Sequence, residues 1–130
     1  MNKNKLLTLS AVIVSLVSLN TLAVKEVTTE AEFKTIIANN EKVVVDFYAT
    51  WCGPCRQLLQ PFAQASQDKT VSDVMFIKVN VDTLPDLTDS YDVQSLPSVI
   101  LIQNGKEVNR KVGLKPSIKK ITTWIKSSFK

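Results

Sequence analysis

A chain of 130 residues with 45% apolar and 22% charged residues has room for one globular domain with a full core, which excludes a disordered or fibrous protein. The formal net charge is +4, and without Lys3 and Lys5 it is +2, because 14 Lys and Arg then remain with 12 Asp and Glu. Such a small positive charge does not predict nucleic-acid binding. Histidine is absent, which removes the commonest general base and metal ligand, so any chemistry must use cysteine, carboxylate or lysine.

The first 23 residues have the three-part pattern of a secretory signal peptide. A basic stretch, Met1–Lys5, precedes the uncharged apolar run Leu6–Leu19 and the polar-to-small ending Asn20–Ala23. As a helix the apolar run would reach about 21 Å, short of a hydrocarbon core of about 30 Å. We therefore expect cleavage after Ala23 and export of the domain 24–130 to the periplasm or the extracellular space, or to an endomembrane lumen in a eukaryote. The main alternative is an uncleaved N-terminal membrane anchor, and a third interpretation is a buried core helix over Leu6–Leu19.

Hydrophobic spacing and capping signals predict the elements of this domain. Thr29 and Glu32 form a capping box ahead of a helix, and the β-branched, aromatic run 43–48 is typical of a central strand covered on both faces. Asn104 and Gly105 are the strongest short signal for a hairpin turn. The predicted elements are a helix over 30–38, a strand over 43–48, a helix over 54–68 with Pro61 inside it, a strand over 75–81, a helix over 85–91, strands over 98–103 and 106–112, and a last helix set by Pro116.

This order of elements predicts the fold class. With a first strand ahead of the helix over 30–38, the order is β-α-β-α followed by β-α-β-β-α, in which parallel strands are joined by helices and the chain ends on an antiparallel hairpin and a helix. Such an order is typical of the α/β class with a three-layer α/β/α architecture around a mixed central sheet.

The only two cysteines, Cys52 and Cys55, lie at the junction of a predicted strand and a predicted helix. A bridge between them closes almost no loop, which argues against a structural staple, and a structural zinc site would need further ligands, so we expect no metal. At a helix start, free backbone N–H groups and the helix dipole favour a thiolate. The spacing therefore predicts Cys52 as nucleophile and Cys55 as the resolving thiol, which attacks the mixed disulfide that Cys52 forms with a substrate.

The segment Trp51–Cys55 reads WCGPC and follows the strand VVVDFYAT, while Leu96–Pro97 precedes the strand SVILI, and Lys-Val-Gly closes the hairpin. In these features the sequence closely resembles the thioredoxin family over 24–130. The resemblance implies the thioredoxin fold, a monomer, no cofactor and the activity of a thiol-disulfide oxidoreductase that reduces protein disulfides or, in an oxidising compartment, re-oxidises them. It also implies two kinds of partner, namely disulfide-containing protein substrates and an unidentified thiol electron donor or acceptor.

The resemblance further implies roles for single positions. Asp46 matches a buried aspartate that accepts the proton of Cys55, and Lys78 matches the lysine partner of that aspartate. Gly53 and Pro54 form the dipeptide with which the family sets its redox potential. The substrate-binding residues implied in the same way are Trp51, Leu96, Pro97 as a cis-proline, and Gly113.

Two positions depart from the family pattern. Pro61 lies six residues after Cys55 instead of five, and Ser98 replaces the usual threonine after the cis-proline. These departures affect helix geometry and substrate preference and leave the cysteine chemistry intact. The alternative to an enzyme is a binding module that holds a partner on the same surface, with redox chemistry incidental.

Overall fold

A computed structural model describes residues 24–130, so the predicted signal peptide and the alternative anchor lie outside the described residues. All the predicted elements are present, and their bounds agree with prediction to within about three residues. Within 24–130 no helix is both long and apolar enough to cross a membrane. The elements are β1 (Val24–Val27), α1 (Glu30–Asn39), β2 (Lys42–Tyr48), α2 (Gly53–Ala65), a 3₁₀ turn (Lys69–Val71), β3 (Met75–Asn80), α3 (Pro85–Ser90), β4 (Ser98–Gln103), β5 (Lys106–Val112) and α4 (Ile118–Ser128).

The five strands form one mixed sheet in the order β1-β3-β2-β4-β5. β1, β3 and β2 run parallel, β4 is antiparallel to β2, and β5 pairs antiparallel with β4. The turn between β4 and β5 has positive φ at both central residues, 52° at Asn104 and 78° at Gly105, as its sequence predicts. The predicted mixed sheet with a C-terminal hairpin is confirmed.

Alternation along β2 divides the core into two layers. Val43, Val45 and Phe47 pack into the cluster that contains the buried residues of α1 and α3. Val44 packs into the other cluster, with the buried side chains of α2 and α4. The sheet is therefore covered on both faces, which confirms the three-layer α/β/α architecture. By the same alternation, Asp46 lies on the α2 and α4 face.

Side-chain caps decide where several helices begin and end. Thr29 Oγ1 accepts the N–H of Glu32 at 3.1 Å, as the predicted capping box requires. The carboxylate of Glu32 accepts the N–H of Thr28 at 2.9 Å, one residue before the N–H of Thr29 that a capping box would use. The second helix was expected to run to Asp68 but ends at Ala65. Asp68 instead has extended backbone and accepts the N–H of Thr70 at 2.8 Å, which starts the 3₁₀ turn.

Candidate active site

The two cysteines form a disulfide at the N-terminus of α2, with their Cα atoms 5.3 Å apart. Cys52 is the N-cap residue: its backbone is extended, and its Sγ accepts the N–H of Cys55 at 3.2 Å. Pro54 lies in the first turn, where its missing N–H costs no helical hydrogen bond. The helix therefore presents free N–H groups to the sulfur of Cys52, an arrangement that stabilises a thiolate.

Only one of the two cysteines lines the groove beside the active site. Both are largely buried, but Cys52 contributes to the wall of the groove and Cys55 does not. A substrate disulfide lying in this groove therefore meets Cys52 first. The groove is also lined by Trp51, Gly53, Pro54, Val81, Gln94 and Leu96.

Trp51 covers the groove from its exposed side. Its side chain is 67% exposed, an unusual position for a large aromatic ring. Its Nε1 donates to Oδ2 of Asp82 at 2.9 Å, which fixes the ring in one orientation. Sequence reasoning missed Asp82, because this residue follows the end of β3 and comes next to Trp51 only in the folded sheet.

The loop before β4 brings Leu96 beside the cysteines and connects it to the two other predicted substrate-binding residues, Pro97 and Gly113. The Leu96–Pro97 peptide is cis, as expected, and Leu96 packs against the cluster formed by Ala49, Cys52 and Cys55. The N–H of Gly113 donates to the carbonyl of Pro97 at 2.9 Å, which ties the end of β5 to the same loop. Gly113 has φ +64°, which favours glycine, and nothing lies within 4 Å of where its Cβ would be.

Asp46 is a buried carboxyl group with an unusual environment. It is 2% exposed, and within the described part of the chain its Oδ1 has no hydrogen-bond partner. Burial raises the pKa of Asp46 to about 7; the charge of Lys78 opposes this rise and that of Glu26 adds to it. Asp46 and Lys78 share a cavity of about 220 Å³ under α2. A carboxyl group with a pKa near neutrality can accept and release a proton under physiological conditions.

Lys78 lies opposite Asp46 in the register of β2 and β3, but its closest contact is with another carboxylate. Its Nζ lies 3.2 Å from Oε2 of Glu26 on β1 and 5.2 Å from the centre of the Tyr48 ring. No ion pair joins Lys78 to Asp46 within residues 24–130. The predicted partnership with Asp46 is thus one of electric field and not of direct contact.

Sequence reasoning missed Glu26 and the hydroxyl of Tyr48. Tyr48 ends the run 43–48, which was predicted to be covered on both faces, but its side chain is only half-buried. Its Oη donates to the Glu26 carboxylate, 2.8 Å from Oε1 and 2.9 Å from Oε2. Tyr48 comes two residues after Asp46 on one strand, so strand alternation places both side chains on one face of the sheet. This spacing could have predicted that Tyr48 lies on the same face as Asp46. Glu26 gave no comparable signal. Among the described residues no cluster of side chains could hold a metal ion.

Comparison with known proteins gives a consistent result. The thioredoxin family model matches residues 24–127. A thioredoxin of Mycoplasmoides gallisepticum is 42% identical over 92 residues, which is 71% of this chain and 90% of that protein. Thioredoxin-1 of Schizosaccharomyces pombe is 42% identical over 106 residues, which is 82% of this chain and 99% of that protein.

Solved structures give the same result for the fold. The thioredoxin of Malassezia sympodialis superimposes with a TM-score of 0.75 at 28% identity, covering 83% of this chain and 92% of that one. The thioredoxin of Plasmodium falciparum superimposes with a TM-score of 0.72 at 36% identity, covering 79% and 97%. Relatives of this similarity and coverage, together with a disulfide in the CxxC position, establish that the chain belongs to the thioredoxin family and is a thioredoxin-type thiol-disulfide oxidoreductase.

Proposed function

We propose that the protein is an exported reductase of protein disulfides. The observation that carries the proposal is the position of Cys52, which caps α2 and is the cysteine that lines the groove. Its thiolate attacks one sulfur of a substrate disulfide, a Cys52–substrate disulfide forms, and the other substrate sulfur leaves as a thiolate. Cys55 then attacks Sγ of Cys52, which closes the internal disulfide and releases the second substrate thiol. Two electrons pass from the protein dithiol to the substrate.

Asp46 serves the second step in this proposal. The thiol of Cys55 must lose its proton before it attacks, and it is 3% exposed, so bulk water has little access to it. The raised pKa of Asp46, about 7, suits a proton acceptor at neutral pH. Because the buried carboxyl lies on the sheet face covered by α2, the helix that carries Cys55, Asp46 is the acceptor we propose.

The substrate binds in the groove between Trp51 and the loop of Leu96 and Pro97. The exposed Trp51 ring offers apolar contact, and the open space at Gly113 leaves room for an extended chain. The partners that fit this surface are protein segments that carry an accessible disulfide.

The direction of electron flow is proposed from the dipeptide between the cysteines. Gly53 and Pro54 match the reducing members of the family, and thioredoxin itself has a potential of about −270 mV. An external thiol donor must then reduce the Cys52–Cys55 disulfide after each cycle. The test is the equilibrium potential of this pair in graded thiol and disulfide buffers, read by Trp51 fluorescence. We expect about −270 mV; a value of about −120 to −180 mV belongs to an oxidant or isomerase and would overturn the proposed direction.

Export is proposed from residues 1–23 alone, on their basic, apolar and small-residue pattern. The test is the intact mass of the protein in each cellular fraction. A chain beginning at Val24 in the exported fraction is the expected result. A chain that keeps Met1 in the membrane fraction would replace cleavage with anchoring, and a full-length chain in the cytosol would overturn export.

A further inference from the structure

Three ionisable side chains form a row across the face of the sheet that α2 covers. Glu26 on β1 is in register with Lys78 on β3, and Lys78 is in register with Asp46 on β2. Strands in a sheet lie about 4.8 Å apart, and residues in register point to the same face. The lysine therefore stands between two carboxylates, one at the open edge of the sheet and one in the interior.

The lysine contacts the outer carboxylate. Lys78 Nζ lies 3.2 Å from Oε2 of Glu26, while Oδ1 of Asp46 has no hydrogen-bond partner among residues 24–130. A lysine ammonium is carried on a flexible chain of four carbons, so Lys78 could pair with the carboxyl group of either Glu26 or Asp46. The Glu26 carboxylate is itself held in place, because the Tyr48 hydroxyl on β2 donates to it across β3.

We propose that Glu26 is a positioning residue, which holds the Lys78 ammonium at the edge of the sheet and away from Asp46, and so sets how tightly Asp46 holds its proton. This inference rests on the proposed function only where it takes Asp46 to be the proton acceptor for Cys55. Glu26 touches neither the cysteines nor the groove, so it acts through Lys78 and through its own negative charge.

The groups around Asp46 fix the sign of the effect. From β1 and β3 it is faced by Glu26 and Lys78, and β2 adds the Tyr48 hydroxyl. α2 lines the cavity with the uncharged side chains of Leu59, Gln60, Phe62 and Ala63. β4 places the uncharged Val99 opposite Asp46. The negative charge of Glu26 raises the pKa of Asp46, so removing that charge lowers this pKa. The same change releases the Lys78 ammonium, whose positive charge also lowers the pKa of Asp46.

The test is the pKa of the Asp46 carboxyl, measured by ¹³C NMR in the oxidised protein, where the disulfide keeps both cysteines from titrating. Glu26→Gln keeps the size of the side chain and an oxygen that can accept from Tyr48. We expect it to lower the Asp46 pKa by about one unit, the scale on which a neighbouring charge acts. Asp89→Asn, which removes an exposed carboxylate on α3, is the matched control and should leave the value in place. An unchanged Asp46 pKa in Glu26→Gln would overturn the proposal.

A double-mutant cycle separates positioning from simple repulsion. In a Lys78→Gln background no ammonium remains to be held, so Glu26→Gln should lower the Asp46 pKa by less than half as much. An equal fall in both backgrounds would show that Glu26 acts by its own charge alone and would overturn its positioning of Lys78. The use of Asp46 is tested separately: if Asp46→Asn resolves mixed disulfides at the normal rate, the proposed proton acceptor fails while the Glu26 result stands.

Discussion

The Sγ atom of Cys52 accepts the backbone N–H of Cys55 at 3.2 Å, so the residue that caps α2 is also the cysteine that lines the groove. The partner sulfur lies one turn further into the helix and away from the groove. The two cysteines therefore have different environments although they are only three positions apart, and their reactivities should differ in the same sense.

We expect Cys52 to be alkylated at least about tenfold faster than Cys55 in the reduced protein at pH 7, because the thiolate is the reactive form and is stabilised at the helix start. The measurement is iodoacetamide labelling for short times, followed by mass spectrometry of the two modified forms. Equal labelling of both thiols would contradict the assignment of the nucleophile. Denatured protein, in which the helix is lost, is the control and should label both alike.

Replacing each cysteine in turn should give two different failures. Cys55→Ser keeps the nucleophile and lacks the resolving thiol, so it should accumulate a covalent disulfide with substrate proteins. Cys52→Ser should accumulate none. Non-reducing gels of each variant after incubation with an oxidised protein substrate distinguish the two, and trapping by Cys52→Ser at a comparable level would reverse the assigned order of attack.

The buried carboxyl of Asp46 should make stability depend on pH. Its folded-state pKa, about 7, is raised above the ordinary value of 3.8, so the folded protein holds a proton that the unfolded chain has released. Its favourable contribution is complete below about pH 4 and is lost as the pH rises through about 7.

Asp46→Asn removes this titration, so it should stabilise the fold at pH 8 by roughly 2 to 4 kcal/mol and bring little gain at pH 4. Denaturant unfolding at both pH values measures the difference. A gain that is the same at pH 4 and pH 8 would mean that the pKa of Asp46 is not raised in the folded state. The same variant should slow the resolution of mixed disulfides, because the proposed proton acceptor is gone.

The exposed Trp51 ring should matter for substrate binding and hardly at all for stability. Trp51→Ala is expected to raise KM for a protein disulfide by about three- to tenfold and to change the unfolding free energy by less than about 0.5 kcal/mol. Val108→Ala is the control, since Val108 is also an exposed apolar residue, 44% exposed, but lies on β5 outside the groove. An equal change of KM in both variants would argue against a specific contact at Trp51.

Two adjacent leucines of α2 offer a matched test of the core. Leu58 is fully buried against the sheet, whereas Leu59 is 47% exposed. Leu58→Ala should cost about 2 to 5 kcal/mol of unfolding free energy, because it leaves a cavity, and Leu59→Ala less than about 1 kcal/mol. Urea titration of both variants checks the prediction, and similar losses would contradict the packing of α2.

Much of the fold was predictable because its signals are local. The alternation along β2 and the Asn104–Gly105 turn are each readable within a few residues, and the structure has both where the sequence predicts them. The end of α2 was placed three residues late, because Asp68 acts as a cap for the next turn, which hydrophobic spacing does not reveal.

The cysteine site was predictable for the same reason, whereas the charge network beneath it was not. Cys52 and Cys55 are close in sequence and lie at a strand-to-helix junction, so their position at the start of α2 could be predicted from local signals, and the WCGPC motif in that context indicated their chemistry. The pairing of Glu26 with Lys78 requires the order of strands in the sheet, in which β3 lies between β1 and β2. Asp46 is adjacent to Lys78 in register, yet only packing decides which carboxylate the lysine contacts.

In the proposed reaction, Cys52 and Cys55 carry two electrons to a protein disulfide. The most direct measurement is the rate at which the protein catalyses reduction of the insulin interchain disulfides by dithiothreitol, for the wild type and for Cys52→Ser at equal concentration. We predict a rate well above that of dithiothreitol alone for the wild type and a return to that background for Cys52→Ser. A variant without Cys52 that keeps the wild-type rate would contradict the account.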